Sequence, residues 1–281
     1  MNRRIVTIII GCVFVITIFA LALSKIKKTG KDESLSVRAG VPNMQMSADE
    51  LFALAQQRED GNDLIKAQEA YDKILSHYPE YPNIEDVQKK MEEINMKIIF
   101  SPSVIGPNAK YYDVRPGDNL SKIAHKFGTT VGMIKRINGL KSDVIRPRMR
   151  LKIWTGKFSV LVDKSQNILM LKSNDRIVRT YTVATGKNGS TPTGKLVVVN
   201  KLVDPVWFKP GVSAVVPSTS PENVLGSRWM GLNISGYGIH GTKDDGSLGL
   251  QVTEGCVRMS NKDAEELYSI LPLGSEVEII D

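Results

Sequence analysis

From Phe158 to Val183 the chain alternates apolar and polar residues in short runs separated by turn-forming residues, a pattern with period 2 that a helix cannot use. Phe158–Val162 is turned by Asp163–Gln166, Ile168–Leu171 returns, and Ser173-Asn174-Asp175 turns the chain again into Ile177–Val183. These predict successive hairpins of an antiparallel sheet. Gly and Pro then punctuate Gly186-Lys187-Asn188-Gly189-Ser190-Thr191-Pro192-Thr193-Gly194. A convincing helix appears only near the end. There Ser260 is placed to cap, Asp263 stands at the third helical position, and Ala264, Leu267 and Ile270 supply a buried stripe. Glu276–Ile280 reads as the last strand. Residues 157–280 are therefore expected to be one mainly β domain.

The remainder divides by composition. Residues 5–24 carry no charge, are apolar on all sides and follow Arg3-Arg4, which fits a bilayer-spanning anchor. Ala20-Leu21-Ala22 resembles a signal-peptidase site, so a cleaved signal is the alternative. Lys25, Lys27, Lys28 and Lys31 lie on the side where the positive-inside rule would not place them. Cys12 reads as a lipid-facing residue. Residues 25–46 read as a linker. Over 47–100, apolar residues at helical spacing (Leu51, Leu54, Ala55; then Ile65, Ala67, Ala70, Tyr71, Ile74) predict two helices broken at Gly61-Asn62-Asp63. A third is expected from Ile84 to about Ile98. The formal charge of +7 is uneven: residues 110–156 carry eleven basic and three acidic groups, while residues 157–281 carry thirteen of each. In an exported chain this basic module points to an anionic envelope surface rather than nucleic acid.

Cys256 is the only cysteine outside the first twelve residues, and His240 lies sixteen positions upstream. The other histidines, His77 and His125, fall in separate modules. A thiol attacks a carbonyl as thiolate and so needs a base or a lowered pKa. Gly241 leaves room beside His240, and Gly255 lets backbone approach the nucleophile. The amides of Gly255, Cys256 and Val257 are candidate oxyanion donors. Arg258 is a candidate anchor for a carboxylate, with Gly241, Tyr237 and Trp229 completing the substrate-binding set. A small buried hydrophobe and a core histidine are the bland alternatives. No metal-ligand cluster or nucleotide loop is visible, so no metal and no cofactor are expected.

Two resemblances carry the functional reading. Residues 111–154 have a βααβ order with Arg115-Pro116-Gly117-Asp118-Asn119-Leu120 and Ile137-Asn138-Gly139-Leu140, and closely resemble a LysM domain. The likeness implies binding to peptidoglycan glycan strands through Gly117, Asp118, Asn119 and Leu120 in one loop and Asn138, Gly139 and Leu140 in another, although most of these also serve as caps and turns. Helices 47–100 resemble a single tetratricopeptide hairpin, readable either as a spacer or as a surface for a protein partner.

Thr185-Gly186, Ser190-Thr191-Pro192-Thr193-Gly194, Ile239-His240-Gly241-Thr242 and Gly255-Cys256-Val257-Arg258-Met259, together with Pro205-Val206-Trp207 and Leu225 to Leu232, look like an L,D-transpeptidase catalytic domain of the YkuD type. That implies a β-sandwich-like fold, Cys256 as nucleophile and His240 as base. It also implies a tetrapeptide stem as donor, release of D-alanine and a 3→3 cross-link to an amine, in the cell envelope outside the cytoplasm. One departure is plain: the family usually has histidine two residues before the nucleophile, where this chain has Glu254. A carboxylate there tends to raise the thiol pKa unless it pairs with a cation. Resolution of the acyl-enzyme by water, giving a carboxypeptidase or cross-link hydrolase, and a non-catalytic wall-binding scaffold are the alternatives.

Overall fold

The computed structural model describes residues 46–209 and 215–281. The apolar run 5–24, Cys12 and all but the last residue of the 25–46 linker lie outside the described residues. Among the described residues no helix is long and apolar enough to cross a membrane. The chain divides into two compact units, up to Ile94 and from Asn95.

The first unit holds helices α1 (Ala48–Asp60), α2 (Leu64–His77) and most of α3 (Ile84–Phe100). Ser47 starts α1 with a reciprocal capping box: its hydroxyl accepts from the Glu50 amide while Glu50 accepts from the Ser47 amide. Asn62 at φ 56° reverses the chain, and Asp63 caps α2. Ala55, Ala67 and Ala70 are buried and small, so the helices approach closely around the fully buried Tyr71, whose ring meets Phe52 edge-on at 6.0 Å.

In the second unit, β1 (Ala109–Asp113), α4 (Leu120–Phe127), α5 (Val131–Asn138) and β2 (Arg150–Trp154) form the expected βααβ module. Asn119 caps α4 and Thr130 caps α5. Gly128 and Gly139 close the two helices in the left-handed conformation that a Cβ disfavours. Val114, Leu120, Ile123, Ile134, Leu151 and Ile153 make its core. Lys152 is fully buried, and its ammonium donates to the carbonyls of Ile98, Ile99 and Ser101 at 2.9, 3.2 and 2.7 Å, satisfying the otherwise orphaned C-terminus of α3.

The rest of the second unit contains β3 (Phe158–Asp163), β4 (Ile168–Ser173), β5 (Arg176–Thr182), β6 (Thr185–Gly186), β7 (Gly194–Val203), β8 (Trp207–Phe208), β9 (Val215–Val216), β10 (Arg228–Leu232), β11 (Gly238–His240), β12 (Gln251–Thr253) and β13 (Val257–Arg258). Helix α6 (Asn261–Ile270) and β14 (Glu276–Ile280) complete it. Eight strands form one sheet in the order β13-β11-β10-β7-β14-β3-β4-β5. The β3-β4-β5 hairpins appear as the sequence predicts. The whole, however, is a half-barrel rather than the β-sandwich-like fold expected, and its pairing is mixed, since β14 runs parallel to β3, β13 parallel to β11, and β12 parallel to β6. Alternate residues of the strands (Val160, Val162, Leu196, Val198, Met230, Ile239, Val257) are buried, as are Ala264, Leu267 and Ile270 of α6.

Helix α6 also receives the βααβ module. The Thr130 hydroxyl donates to the Ser269 carbonyl, and Arg136 pairs with Glu266 at 3.0 Å. The same carboxylate accepts from Arg179 Nε at 3.2 Å and from the Tyr181 hydroxyl at 2.9 Å.

Candidate active site

Strand register decides where Cys256 sits. Parallel β11 and β13 align Ile239 with Val257 and His240 with Arg258. Paired residues project from the same sheet face. Ile239 and Val257 therefore enter the core, where both are buried, while Gly238, His240, Cys256 and Arg258 belong to the opposite face. Cys256 lies one step before Val257 and is the diagonal neighbour of His240. On the other flank, antiparallel β10 sets Trp229 directly across from His240. Their rings stack, with centroids 5.9 Å apart and planes 19° apart. The indole N–H donates to Asn200 Oδ1 at 3.0 Å, fixing the ring against the imidazole.

His240 is buried, and its Nδ1 lies 2.7 Å from the Gly241 carbonyl. A carbonyl oxygen only accepts, so Nδ1 carries the proton and Nε2 keeps its lone pair. Burial pushes the imidazole down to about 4; the Gly241 carbonyl opposes this, the Arg258 cation assists it, and a bond to the Leu225 backbone opposes it. Burial also raises the Cys256 thiol, against the Gly238 backbone N–H and the Arg258 cation, which lower it. At rest the site thus holds a neutral thiol, which donates to the Gly236 carbonyl at 3.5 Å, and a neutral imidazole.

The turn into Cys256 is closed from both sides. Thr253 Oγ1 donates to the Cys256 carbonyl at 2.7 Å and accepts the Gly255 amide at 3.2 Å. The Gly255 N–H, a candidate oxyanion donor in the sequence reading, is engaged within this turn. Gly255 adopts φ +131°, and a Cβ there would lie 2.6 Å from the Tyr237 ring and 3.0 Å from the Ser190 carbonyl, so glycine is the residue that fits. Ser190 belongs to the Gly/Pro-rich loop, which folds on itself: buried Thr191 accepts the Gly186 amide at 2.7 Å.

Glu254 answers the question its position raises. It is 80 % exposed and pairs with Lys187 at 2.7 Å, a neighbour because parallel β6 and β12 place Gly186 beside Thr253. The carboxylate is neutralised and solvated rather than turned onto the sulfur.

Arg258 is largely packed in. Its Nη1 bonds Ser247 at 3.2 Å and stands 3.9 Å from Asp244, while its Nε is buried with no partner. Asn223, which the sequence reading passed over, is buried and donates to the carbonyls of Pro205, Val216 and Pro217, tying both ends of the segment carrying β8 and β9.

In the βααβ module, three of the polar candidates are engaged internally. Asp118 accepts from the Tyr112 hydroxyl and the Arg115 amide, and Asn119 accepts from the Lys122 amide. Asn138 exchanges two hydrogen bonds with the Lys152 backbone and donates to Ile134. Leu120 is buried and Leu140 half-buried, while Gly117 and Gly139 are exposed at positive φ. Among the described residues, no cluster of three or more His, Cys, Asp or Glu side chains converges as a metal site would.

Comparison with known proteins matches residues 157–279 to the L,D-transpeptidase catalytic domain and residues 112–154 to the LysM domain. The YkuD protein of Bacillus licheniformis, named an L,D-transpeptidase by inference, is 34% identical over 177 residues, covering 60% of this chain and 97% of that protein. Its namesake from Bacillus subtilis is 31% identical over 175 residues, with the same coverage of each chain. Among solved structures, L,D-transpeptidase 3 from Mycobacterium tuberculosis is 17% identical, with a TM-score of 0.39 over 48% of this chain and 66% of that one. An L,D-transpeptidase from Mycobacterium smegmatis is 18% identical, with a TM-score of 0.37 over 47% of this chain and 63% of its own. With nearly the whole of a YkuD relative aligned and both domain models in order, the chain belongs to the YkuD family of L,D-transpeptidases, with a LysM domain N-terminal to the catalytic domain.

Proposed function

We propose that the chain is a peptidoglycan L,D-transpeptidase that forms an acyl-enzyme on Cys256. The observation that carries this is the placement of Cys256 as diagonal neighbour of a buried His240 whose tautomer is set by the Gly241 carbonyl. His240 Nε2 takes the thiol proton as Sγ bonds to the carbonyl carbon of the third stem residue. The charge that develops on that carbonyl oxygen is held by backbone N–H groups beside Cys256. Collapse breaks the peptide bond, His240 returns the proton to the departing amine, and D-alanine leaves. An amine of a neighbouring stem then attacks the thioester, yielding the 3→3 cross-link and the free thiol. The side chains need no cofactor for these steps.

In this reading residues 5–24 anchor the chain with its catalytic domain outside the cytoplasm, and the LysM module holds glycan. Because Asp118, Asn119 and Asn138 are engaged internally, that grip relies on exposed backbone at Gly117 and Gly139. Trp229 and Tyr237 flank the reacting centre, and the Arg258 cation adds to burial in keeping the imidazole neutral.

The test is incubation with purified tetrapeptide muropeptides followed by mass spectrometry. The expected result is an acyl adduct on Cys256 and 3→3 dimers, both absent from Cys256→Ala. Free D-alanine with tripeptide monomers alone would replace the transpeptidase by the hydrolase. No adduct and no product, with glycan binding intact, would leave a wall-binding scaffold.

A further inference from the structure

Two glycines near His240 share one side chain as their nearest neighbour. An ideal Cβ on Gly226 or on Gly241 would lie 2.2 Å from Asn261 Oδ1, so that oxygen occupies the space both residues leave. At Gly226 a Cβ would also meet the Gly241 carbonyl carbon at 2.5 Å and the Thr242 nitrogen at 2.6 Å, and φ is +63°, whereas at Gly241 the Asn261 oxygen is the one close contact. The same oxygen accepts the Ser227 amide at 2.9 Å. One carbonyl oxygen therefore touches the loop entering β10, which carries Trp229, and the turn leaving β11, which carries His240 and the Gly241 carbonyl that sets its tautomer.

The oxygen's own base is rigid. Asn261 is the first residue of α6, after a Ser260 cap that accepts the Asp263 amide at 3.1 Å and donates to its carboxylate at 2.7 Å. It follows Cys256 by five residues, through the strand that places the nucleophile. Helix α6 is held at its other end by Lys201, which donates to the Tyr268 and Leu271 carbonyls at 2.5 and 2.6 Å.

We propose that Asn261 is a positioning residue: it ties the strand of the nucleophile to the turn of the base, and so fixes His240 against Cys256. This rests on the reading of His240 as the base. The charged or titratable groups facing that imidazole are Arg258 and Cys256 from β13 and its approach. From β10, Trp229 is neutral, and Arg228 stands 3.9 Å from each of Asp204 and Glu265.

The experiment measures single-turnover acylation of the full chain by a tetrapeptide muropeptide in wild type, Asn261→Ala, Asn261→Asp and His240→Gln, with thermal melts of each. Asn261→Ala is expected to lose about 10²-fold in the acylation rate, the scale of a small misplacement of reacting groups, with half-saturation by substrate unchanged. Alkylation of Cys256 by iodoacetamide should stay at the wild-type rate. Asn261→Asp restores an oxygen acceptor at a helix start that favours a carboxylate, so most of the rate should return. Its charge raises the His240 pKa, and the ascending limb of the pH–rate profile moves to higher pH. A wild-type rate in Asn261→Ala, or equal losses in both variants with an unmoved limb, overturns the positioning role. If the alanine variant fails to fold, Asn261→Asp decides alone through its limb. A wild-type rate in His240→Gln removes the base assignment itself and Asn261 with it. A normal loss there beside a wild-type Asn261→Ala overturns Asn261 only.

Discussion

The protonation state of the resting site can be read by alkylating Cys256 across pH. Burial raises the thiol above its ordinary 9.0 and pushes His240 to about 4. The proton therefore stays on sulfur rather than moving to the imidazole, and the neutral pair is the resting form. The thiolate fraction at pH 7 lies below the roughly 1% of a cysteine at its ordinary 9.0. Rates of iodoacetamide modification, followed by intact mass from pH 5 to 10, should rise about tenfold per pH unit without a plateau below 9. His240→Gln should leave that course unchanged while removing a factor of about 10²–10⁴ from acylation, since the imidazole acts as a base during attack rather than by pre-forming thiolate. A pH-independent plateau of alkylation between 5 and 8, lost in His240→Gln, would mean a resting ion pair and would refute the argument from burial.

Three further outcomes follow from single contacts. Lys152→Met leaves three carbonyls at the end of α3 without a donor and should cost about 1–3 kcal/mol by urea unfolding. Burial also lowers the Lys152 ammonium from 10.5 to about 8. Between those values the unfolded chain binds a proton that the folded one does not, so stability conferred by this residue rises with pH from about 8 to 10.5 and is constant below, a slope absent from Lys152→Met. Glu254→Gln and Glu254→His remove an exposed pair with Lys187 worth about 0–1 kcal/mol, and acylation should stay within about twofold of wild type; activity confined to Glu254→His would contradict the reading of His240 as sufficient. Gly255→Ala forces a Cβ into φ +131° against Tyr237, a strain of about 1–3 kcal/mol, and should abolish adduct formation while Cys256 remains present by mass.

What the sequence made legible is local. Ser260 with Asp263 before the last helix, and the hairpins of β3-β4-β5, depend on residues within a few positions of one another, and local pattern reports them. The parallel pairings were not legible. Strand β14 inserts between β7 and β3, and its partner Val160 lies more than a hundred residues earlier. No turn signal marks such a pairing, and an antiparallel reading of a β-rich segment is the natural error. The candidate site falls between these cases. Residue type identifies Cys256 and His240, but only the register of β11 and β13 makes them neighbours on one face.

The residues missed share a physical property: they are polar side chains serving the backbone of segments far away in sequence. Asn223 in a loop reads as a turn former, yet its amide holds carbonyls at Pro205, Val216 and Pro217. Lys152 in a strand reads as a solvent-facing cation, yet it ends a helix fifty residues upstream. Asn261 after a serine cap reads as an ordinary first helical residue, yet its oxygen fills the space of two missing Cβ atoms. Glu254 shows the converse, since proximity in sequence suggested an electrostatic effect on the thiol. Parallel pairing of β6 with β12 supplies Lys187 instead, and solvent takes up the rest of its field. A buried donor or acceptor must find a partner, and sequence distance does not restrict which one. Glycines flanking a catalytic motif are therefore the legible trace of such partners. Gly241 records in the sequence that an atom from elsewhere, here Asn261 Oδ1, stands where its side chain would be.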